Sequence, residues 1–108
     1  MRRGDLITVA VSGDYGKPRP ALVIQSDFLN ETDSVLVCLL TTTLRDAPLY
    51  RLSLPPGEMT GLRQPSQVMV DKIMAVRRVR CGPPVGRADD ASLLALGRLL
   101  AFVVGIAD

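Results

Sequence analysis

Three stretches of this 108-residue chain carry side chains suited to holding an anion: Arg19, the run Thr41-Thr42-Thr43, and Asp71. Arg19 stands between Pro18 and Pro20, where the turn-rich Ser12-Gly13-Asp14-Tyr15-Gly16-Lys17 meets the apolar Ala21-Leu22-Val23-Ile24-Gln25. Proline fixes its own φ and biases the residue before it toward extended backbone, so the guanidinium is presented on a stiff segment where loop becomes strand. With Asp14, Tyr15 and Lys17 just upstream, Arg19 suits anion recognition; a surface hairpin carrying a solvated arginine is the competing reading. The threonines offer hydroxyls that donate and accept, or they are β-formers continuing a strand. Asp71, late in an apolar run, is either a structural acceptor or a reactive carboxylate.

Other chemistries are excluded by composition. The chain has no histidine, and its two cysteines, Cys38 and Cys81, stand in no ligand spacing. Zinc sites, Ser-His-Asp and Cys-His nucleophiles and any histidine acid or base are therefore ruled out, and no metal or cofactor is expected. Cys38 lies in an apolar run and reads as buried; Cys81 precedes Gly82-Pro83-Pro84 and reads as exposed. A disulfide between them stays open, a reduced pair in the cytoplasm being the simpler reading.

The net charge of +2 says little about partners, but its distribution says more. From Arg63 to Arg87 six basic residues face one acid, Asp71, and eleven of the thirteen cations are arginine, whose planar fork suits phosphate. That region is either a phosphate-facing surface or a solubilising one. An apolar fraction of 47% with 22% charged residues describes a globular chain, read as one domain over residues 1–108. No run reaches the length of a membrane span, and the apolar stretch after Met1-Arg2-Arg3-Gly4-Asp5 is too short for a secretory signal. A soluble, cytoplasmic protein is expected.

The elements that must position these side chains are mostly strands. Leu6–Val11 and Ala21–Gln25 read as a hairpin with a long connection, and Val35–Leu40 as a central strand covered on both faces. Tyr50–Leu54 alternates, with Tyr50, Leu52 and Leu54 on one face. Gln67–Ile73 follows, continued through Met74–Val79, with Gln67, Met69 and Asp71 on one face. Asp89-Asp90-Ala91-Ser92 then reads as a helix start. Leu93, Leu96, Leu100 and Val103 form its stripe, but Leu94, Leu99, Phe102 and Val104 make the other faces apolar too. Such a helix is either fully packed or shared with a second copy, and a homodimer is expected.

Taken together, the residues resemble the MazF/PemK family, the toxin members of bacterial type II toxin–antitoxin pairs. The resemblance runs through Arg3-Gly4-Asp5-Leu6, Gly16 to Arg19-Pro20-Ala21-Leu22-Val23-Ile24-Gln25, Leu40-Thr41-Thr42, Gly61-Leu62, Pro65-Ser66 and Val68-Met69-Val70-Asp71-Lys72-Ile73. It implies a mainly β (α+β) fold, a compact SH3-like barrel of CcdB/PemK type with a C-terminal α-helix, assembled as a dimer. It also implies a sequence-specific, metal-independent endoribonuclease that cuts single-stranded RNA, usually mRNA, and is neutralised by a cognate antitoxin. By family habit the antitoxin inserts an acidic segment, which the arginine-rich 63–87 region suits.

Carried across, the family's catalytic arginine falls on Arg19, its threonine on Thr41 with Thr42 as neighbour, and its acidic positions on Asp71 and Asp14. Two departures stand out: Met69 occupies a position where some members carry a second arginine, and the first loop lacks the histidine some members have. Metal-free cleavage uses the RNA's own 2′-hydroxyl as nucleophile, so the enzyme removes that proton, stabilises the phosphorane and assists the 5′-oxygen. Arg19 and Thr41 would serve the phosphate, and Asp71 or Asp14 would be the base. Tyr15, Lys17, Thr42 and Gln67 are candidates for RNA contacts by stacking and edge recognition. The alternative on the same fold is a non-enzymatic, CcdB-like poison of DNA gyrase; that family ends in Trp-Gly-Ile, whereas this chain ends Val104-Gly105-Ile106-Ala107-Asp108 and has no tryptophan.

Overall fold

A computed structural model of the chain describes residues 1–11 and 17–107. Its strands are β1 (Asp5–Ala10), β2 (Pro18–Val23), β3 (Ser34–Thr41), β4 (Arg51–Leu54), β5 (Ser66–Arg77) and β6 (Gly86–Arg87), followed by the helix α1 (Asp90–Val103). The strands pair antiparallel in the order β4-β5-β3-β2-β1-β6 and curl into a half-barrel, matching the expected mainly β barrel with a C-terminal helix. No helix among the described residues is long and apolar enough to cross a membrane.

Alternation along the strands makes two buried clusters, one on each side of the sheet. Leu6, Leu22, Cys38, Leu40, Val68 and Val70 join Leu96 of α1, while Ile7, Val9, Ala21, Val23, Val35, Val37, Leu39 and Val76 line the other side. The run Val35–Leu40 is thus covered on both faces as expected, except at Leu36, which is 40% exposed. Cys38 and Cys81 are free thiols on opposite sides of the sheet, which settles the open disulfide against a bond.

The second strand begins at Pro18 rather than Ala21, and the direction of the backbone donors explains how. Ile24 N–H donates to the Leu36 carbonyl of β3, so every second residue back, Leu22, Pro20 and Pro18, turns its nitrogen toward β3. The two prolines therefore lack donors on the β3 side only. Pairing with β3 stops at Ala21↔Leu39, whereas pairing with β1 runs on through Thr8↔Pro20, Val9↔Arg19 and Ala10↔Pro18. The β2–β3 ladder is left open at one end, with Arg19 held in register by β1 alone.

β5 departs from simple alternation. It pairs with β3 as Cys38↔Ile73 at one end and Leu40↔Val68 at the other, so Met69 to Lys72 accommodate extra residues. After β5 a single 3-10 turn at Arg78–Arg80 replaces the expected continuation to Val79. The loop from Pro55 to Pro65 packs onto β6, with Arg87 N–H donating to the Met59 carbonyl at 2.8 Å. Gly61 sits at φ +71° with its α-carbon against the Val85 carbonyl, a position with neither the backbone freedom nor the room for a side chain.

α1 starts where expected: Asp89 caps it, accepting from Ser92 N–H at 2.7 Å. Leu96 is its one fully buried residue, with Leu93, Leu99, Leu100 and Val103 half-buried against the same cluster. The outer face stays apolar and uncovered, Leu94 being 60% and Phe102 41% exposed. At the far edge the two-residue β6 is tied to β1 by Arg87, whose Nη1 lies 2.7 Å from Asp5 Oδ1 and whose Nη2 donates to the Arg3 carbonyl at 3.2 Å.

Candidate active site

Arg19 is half-buried on β2 and shares its side of the sheet with its partner Val9 and with Ala21. Carrying the β2–β3 register two residues past Ala21↔Leu39 brings Arg19 opposite Thr41, the last residue of β3. Thr41 in turn pairs with Gln67 of β5, and Gln67 with Ser53 of β4. Directly opposed residues point to one face and neighbouring strands lie about 5 Å apart. Thr41 and Gln67 are thus a cross-strand pair, and the β2 register carried past its last pair runs Arg19 toward Thr41, at the end where the prolines leave the ladder open.

The Thr41 hydroxyl accepts from Thr43 N–H at 3.1 Å, a bond that orients the oxygen and leaves its proton to be donated elsewhere. Thr42 is exposed beside it, as is Lys17 just before β2. Gln67, expected to offer its amide to a base, is buried and already engaged. Its Oε1 accepts from Arg45 N–H at 3.0 Å and from Arg51 Nη1 at 2.9 Å, and its Nε2 donates to the Arg45 carbonyl at 3.0 Å. It pins the loop that follows Thr41.

Arg51 is the residue that sequence reasoning missed. Alternation in Tyr50–Leu54 places it on the solvent face, yet it is only 8% exposed while Tyr50 is at 37%. Its Nη1 reaches both Gln67 Oε1 and, at 3.1 Å, the Thr43 carbonyl. The acceptors come from β5 and from the 43–45 loop, so no pattern within β4 announces them. Met69, the position without the second arginine, is the direct cross-strand partner of Arg51. Beyond Gln67 lies a groove of about 490 Å³ whose walls include Arg45, Asp46, Arg51, Ser53 and Arg98.

Asp71 has no direct cross-strand partner among the β3 and β4 pairings. It lies four residues from Gln67, at most about 13 Å of strand, in the irregular part of β5, where it is exposed and ion-paired with Lys72 at 3.2 Å. Its charge is felt at Cys38, whose thiol is pushed up to about 12, by burial first and by the Asp71 carboxylate second. Asp14 and Tyr15 lie outside the described residues.

The basic stretch from 63 to 87 divides in two. Arg78 clamps the preceding loop by donating to Thr32 and to the Leu29 carbonyl, and Arg87 holds Asp5. Arg63, Arg77 and Arg80 face solvent. Two arginines of the stretch are thus used for internal ties, and Lys72 pairs with Asp71.

Comparison with known proteins fits this geometry. Residues 2–104 match the family described as PemK-like, MazF-like toxin of type II toxin–antitoxin systems. A curated relative, the probable endoribonuclease MazF of Mycolicibacterium smegmatis, is 44% identical over 108 residues, covering 99% of each chain. The toxin MazF-mt6 of Mycobacterium tuberculosis superposes with a TM-score of 0.81 at 21% identity, over 96% of this chain and 98% of that one. An endoribonuclease in complex with its cognate antitoxin, from a mycobacterial species, gives a TM-score of 0.81 at 22% identity, over 100% of this chain and 98% of its own. MazF from a MazE–MazF structure of Deinococcus radiodurans gives 0.78 at 23%, over 97% and 95%. At such identities the structural likenesses speak for the fold; the family match and the curated relative speak for descent. The chain belongs to the PemK-like, MazF-like toxin family of type II toxin–antitoxin systems.

Proposed function

We propose that this chain is the endoribonuclease toxin of a type II toxin–antitoxin pair, one domain over residues 1–108 that cuts single-stranded mRNA in the cytoplasm and so inhibits translation and growth. The observation that supports this reading of the site is the Thr41↔Gln67 pair at the open end of the β2–β3 ladder, toward which the β2 register carries Arg19. A phosphate seated there meets a guanidinium from one strand and a hydroxyl from the next.

Cleavage then runs through the RNA's own 2′-hydroxyl. Its oxygen bonds to phosphorus, its proton passes to a carboxylate, the P–O5′ bond breaks and the 5′-oxygen takes up a proton, leaving a 2′,3′-cyclic phosphate. Arg19 donates to the non-bridging oxygens as negative charge grows on the phosphorane, and Thr41 adds a second donor. Asp14, a few residues before the Arg19 strand in sequence, and Asp71, in the irregular part of β5, are the two carboxylates proposed as base. Lys17, Thr42 and Tyr15 are proposed to contact RNA around the cut, while Gln67 serves by holding the loop.

The active form is proposed to be a homodimer that covers the exposed Leu94 and Phe102 face of α1, to be checked by light scattering at micromolar concentration. The cognate antitoxin is proposed to bring an acidic segment to the solvent-facing Arg63, Arg77 and Arg80. The gyrase-poison alternative is not favoured, because the full-length relative at 44% identity is named an endoribonuclease.

The test is primer extension on a long mRNA incubated with the purified protein in EDTA. Discrete cut sites are expected, with Arg19→Ala slower by about 10²- to 10³-fold. Cutting by Arg19→Ala at the wild-type rate overturns the site assignment; inhibition of supercoiling without RNA cleavage overturns the function.

A further inference from the structure

We propose that Arg51 is a positioning residue for the reaction: acting through Thr43, it sets the Thr41 hydroxyl in its donating orientation. The inference rests on the reading of Thr41 as a phosphate donor. It starts from an anomaly in the β4–β5 packing. Arg51 is 8% exposed, and among the described residues no carboxylate lies within salt-bridge distance of it. Its Nε is buried without a partner. A guanidinium in such a place is costly to desolvate, and a methionine would fill the same space without that cost. An apolar side chain would not, however, make the two bonds that Arg51 makes.

Those bonds form a relay. Arg51 Nη1 donates at 3.1 Å to the Thr43 carbonyl and at 2.9 Å to Gln67 Oε1. Gln67 grips the Arg45 N–H and carbonyl, both at 3.0 Å. The backbone at residues 43 and 45 is thereby fastened to the floor of the sheet on both sides of Leu44. Thr43 N–H, fixed by this, enters the Thr41 oxygen at 3.1 Å. One lone pair of Thr41 is occupied by this bond, which restricts the directions left to its proton. Without the tether the 42–46 segment, exposed apart from that anchoring, loses its hold and the Thr41 rotamer is no longer specified.

The experiment is a double-mutant cycle in single-turnover cleavage of one mRNA of defined sequence, with the maximal rate and the half-saturating enzyme concentration measured separately. Arg51→Met is expected to lower the maximal rate by about 10- to 100-fold with half-saturation shifted by no more than about 3-fold, as for a small misplacement of a reacting group. Combined with Thr41→Val it is expected to be no slower than Thr41→Val alone, because both changes remove the same donor. Arg51→Lys, which keeps the charge and one bond, is expected to recover part of the rate. If Arg51→Met does not fold, Gln67→Met breaks the same tether from the other end and replaces it in the cycle. Losses that multiply in the double variant, or a folded Arg51→Met with the wild-type maximal rate, overturn the inference. Thr41→Val cutting at full rate instead overturns the site reading beneath it.

Discussion

Replacing Asp5 with alanine removes the tie between the first strand and the last. The Asp5 carboxylate is buried, its side chain 8% exposed, and it makes two strong bonds: Oδ1 to Arg87 Nη1 at 2.7 Å and Oδ2 to Arg2 N–H at 2.8 Å. A hydrogen bond to a charged group contributes about 1.5–3 kcal/mol net, and breaking a buried pair by removing one partner costs about 3–5 kcal/mol. Arg87 is 34% exposed, so water partly rescues the abandoned guanidinium, and the lower end applies: about 3 kcal/mol. For a domain of this size, with a total of about 5–15 kcal/mol, that is a large share. In urea unfolding at one fixed protein concentration, a slope of about 2 kcal/mol/M turns it into a midpoint lower by roughly 1.5 M with the slope unchanged. Asp5→Asn, which keeps an acceptor and loses the charge, is expected to cost about half as much. A midpoint for Asp5→Ala within about 0.5 M of wild type would refute the claim that this pair closes the sheet.

The two thiols are expected to differ sharply. Cys81, half-buried, reacts with a thiol reagent in the native protein at pH 8, whereas Cys38, fully buried, reacts only on unfolding. Because the Cys38 thiol is raised from 9.0 to about 12, the folded chain keeps a proton that the unfolded chain releases. Stability is therefore full below about pH 9 and falls as pH rises toward 12, by up to a few kcal/mol, and Cys38→Val is expected to lose this component of the fall in urea midpoints between pH 8 and pH 10.5. Leu96→Ala, at the one fully buried position of α1, is expected to cost about 3 kcal/mol by the same unfolding assay. A loss under 1 kcal/mol there would mean that the helix does not close the core.

Much of this was legible in the residues, for physical reasons that also mark the boundary. The helix start at Asp89 and its apolar stripe follow from local rules, and the structure keeps both. The stiff presentation of Arg19 was legible from its two prolines, but their membership of β2 was not. Proline reads as a loop residue because one donor is missing, and whether that donor was needed depends on which neighbour it would have faced. Here the missing donors face the strand whose ladder ends, and the gap in pairing lies beside Arg19. The same limit hid Arg51 and left the facing of Asp71 undetermined. Alternation within Tyr50–Leu54 assigns Arg51 to solvent, while its acceptors come from β5 and the 43–45 loop, which only the folded sheet assembles. Alternation within Gln67–Ile73 puts Asp71 on the face of Gln67 and holds through Val68, Met69 and Val70, but the extra residues between the Cys38↔Ile73 and Leu40↔Val68 pairs fall at Asp71 and Lys72, where the period is lost. Rules confined to one strand describe what a strand can pair with, whereas the proposed site stands where pairing ends. Its chemistry was visible as residue types, and its geometry emerged only from the neighbouring strands.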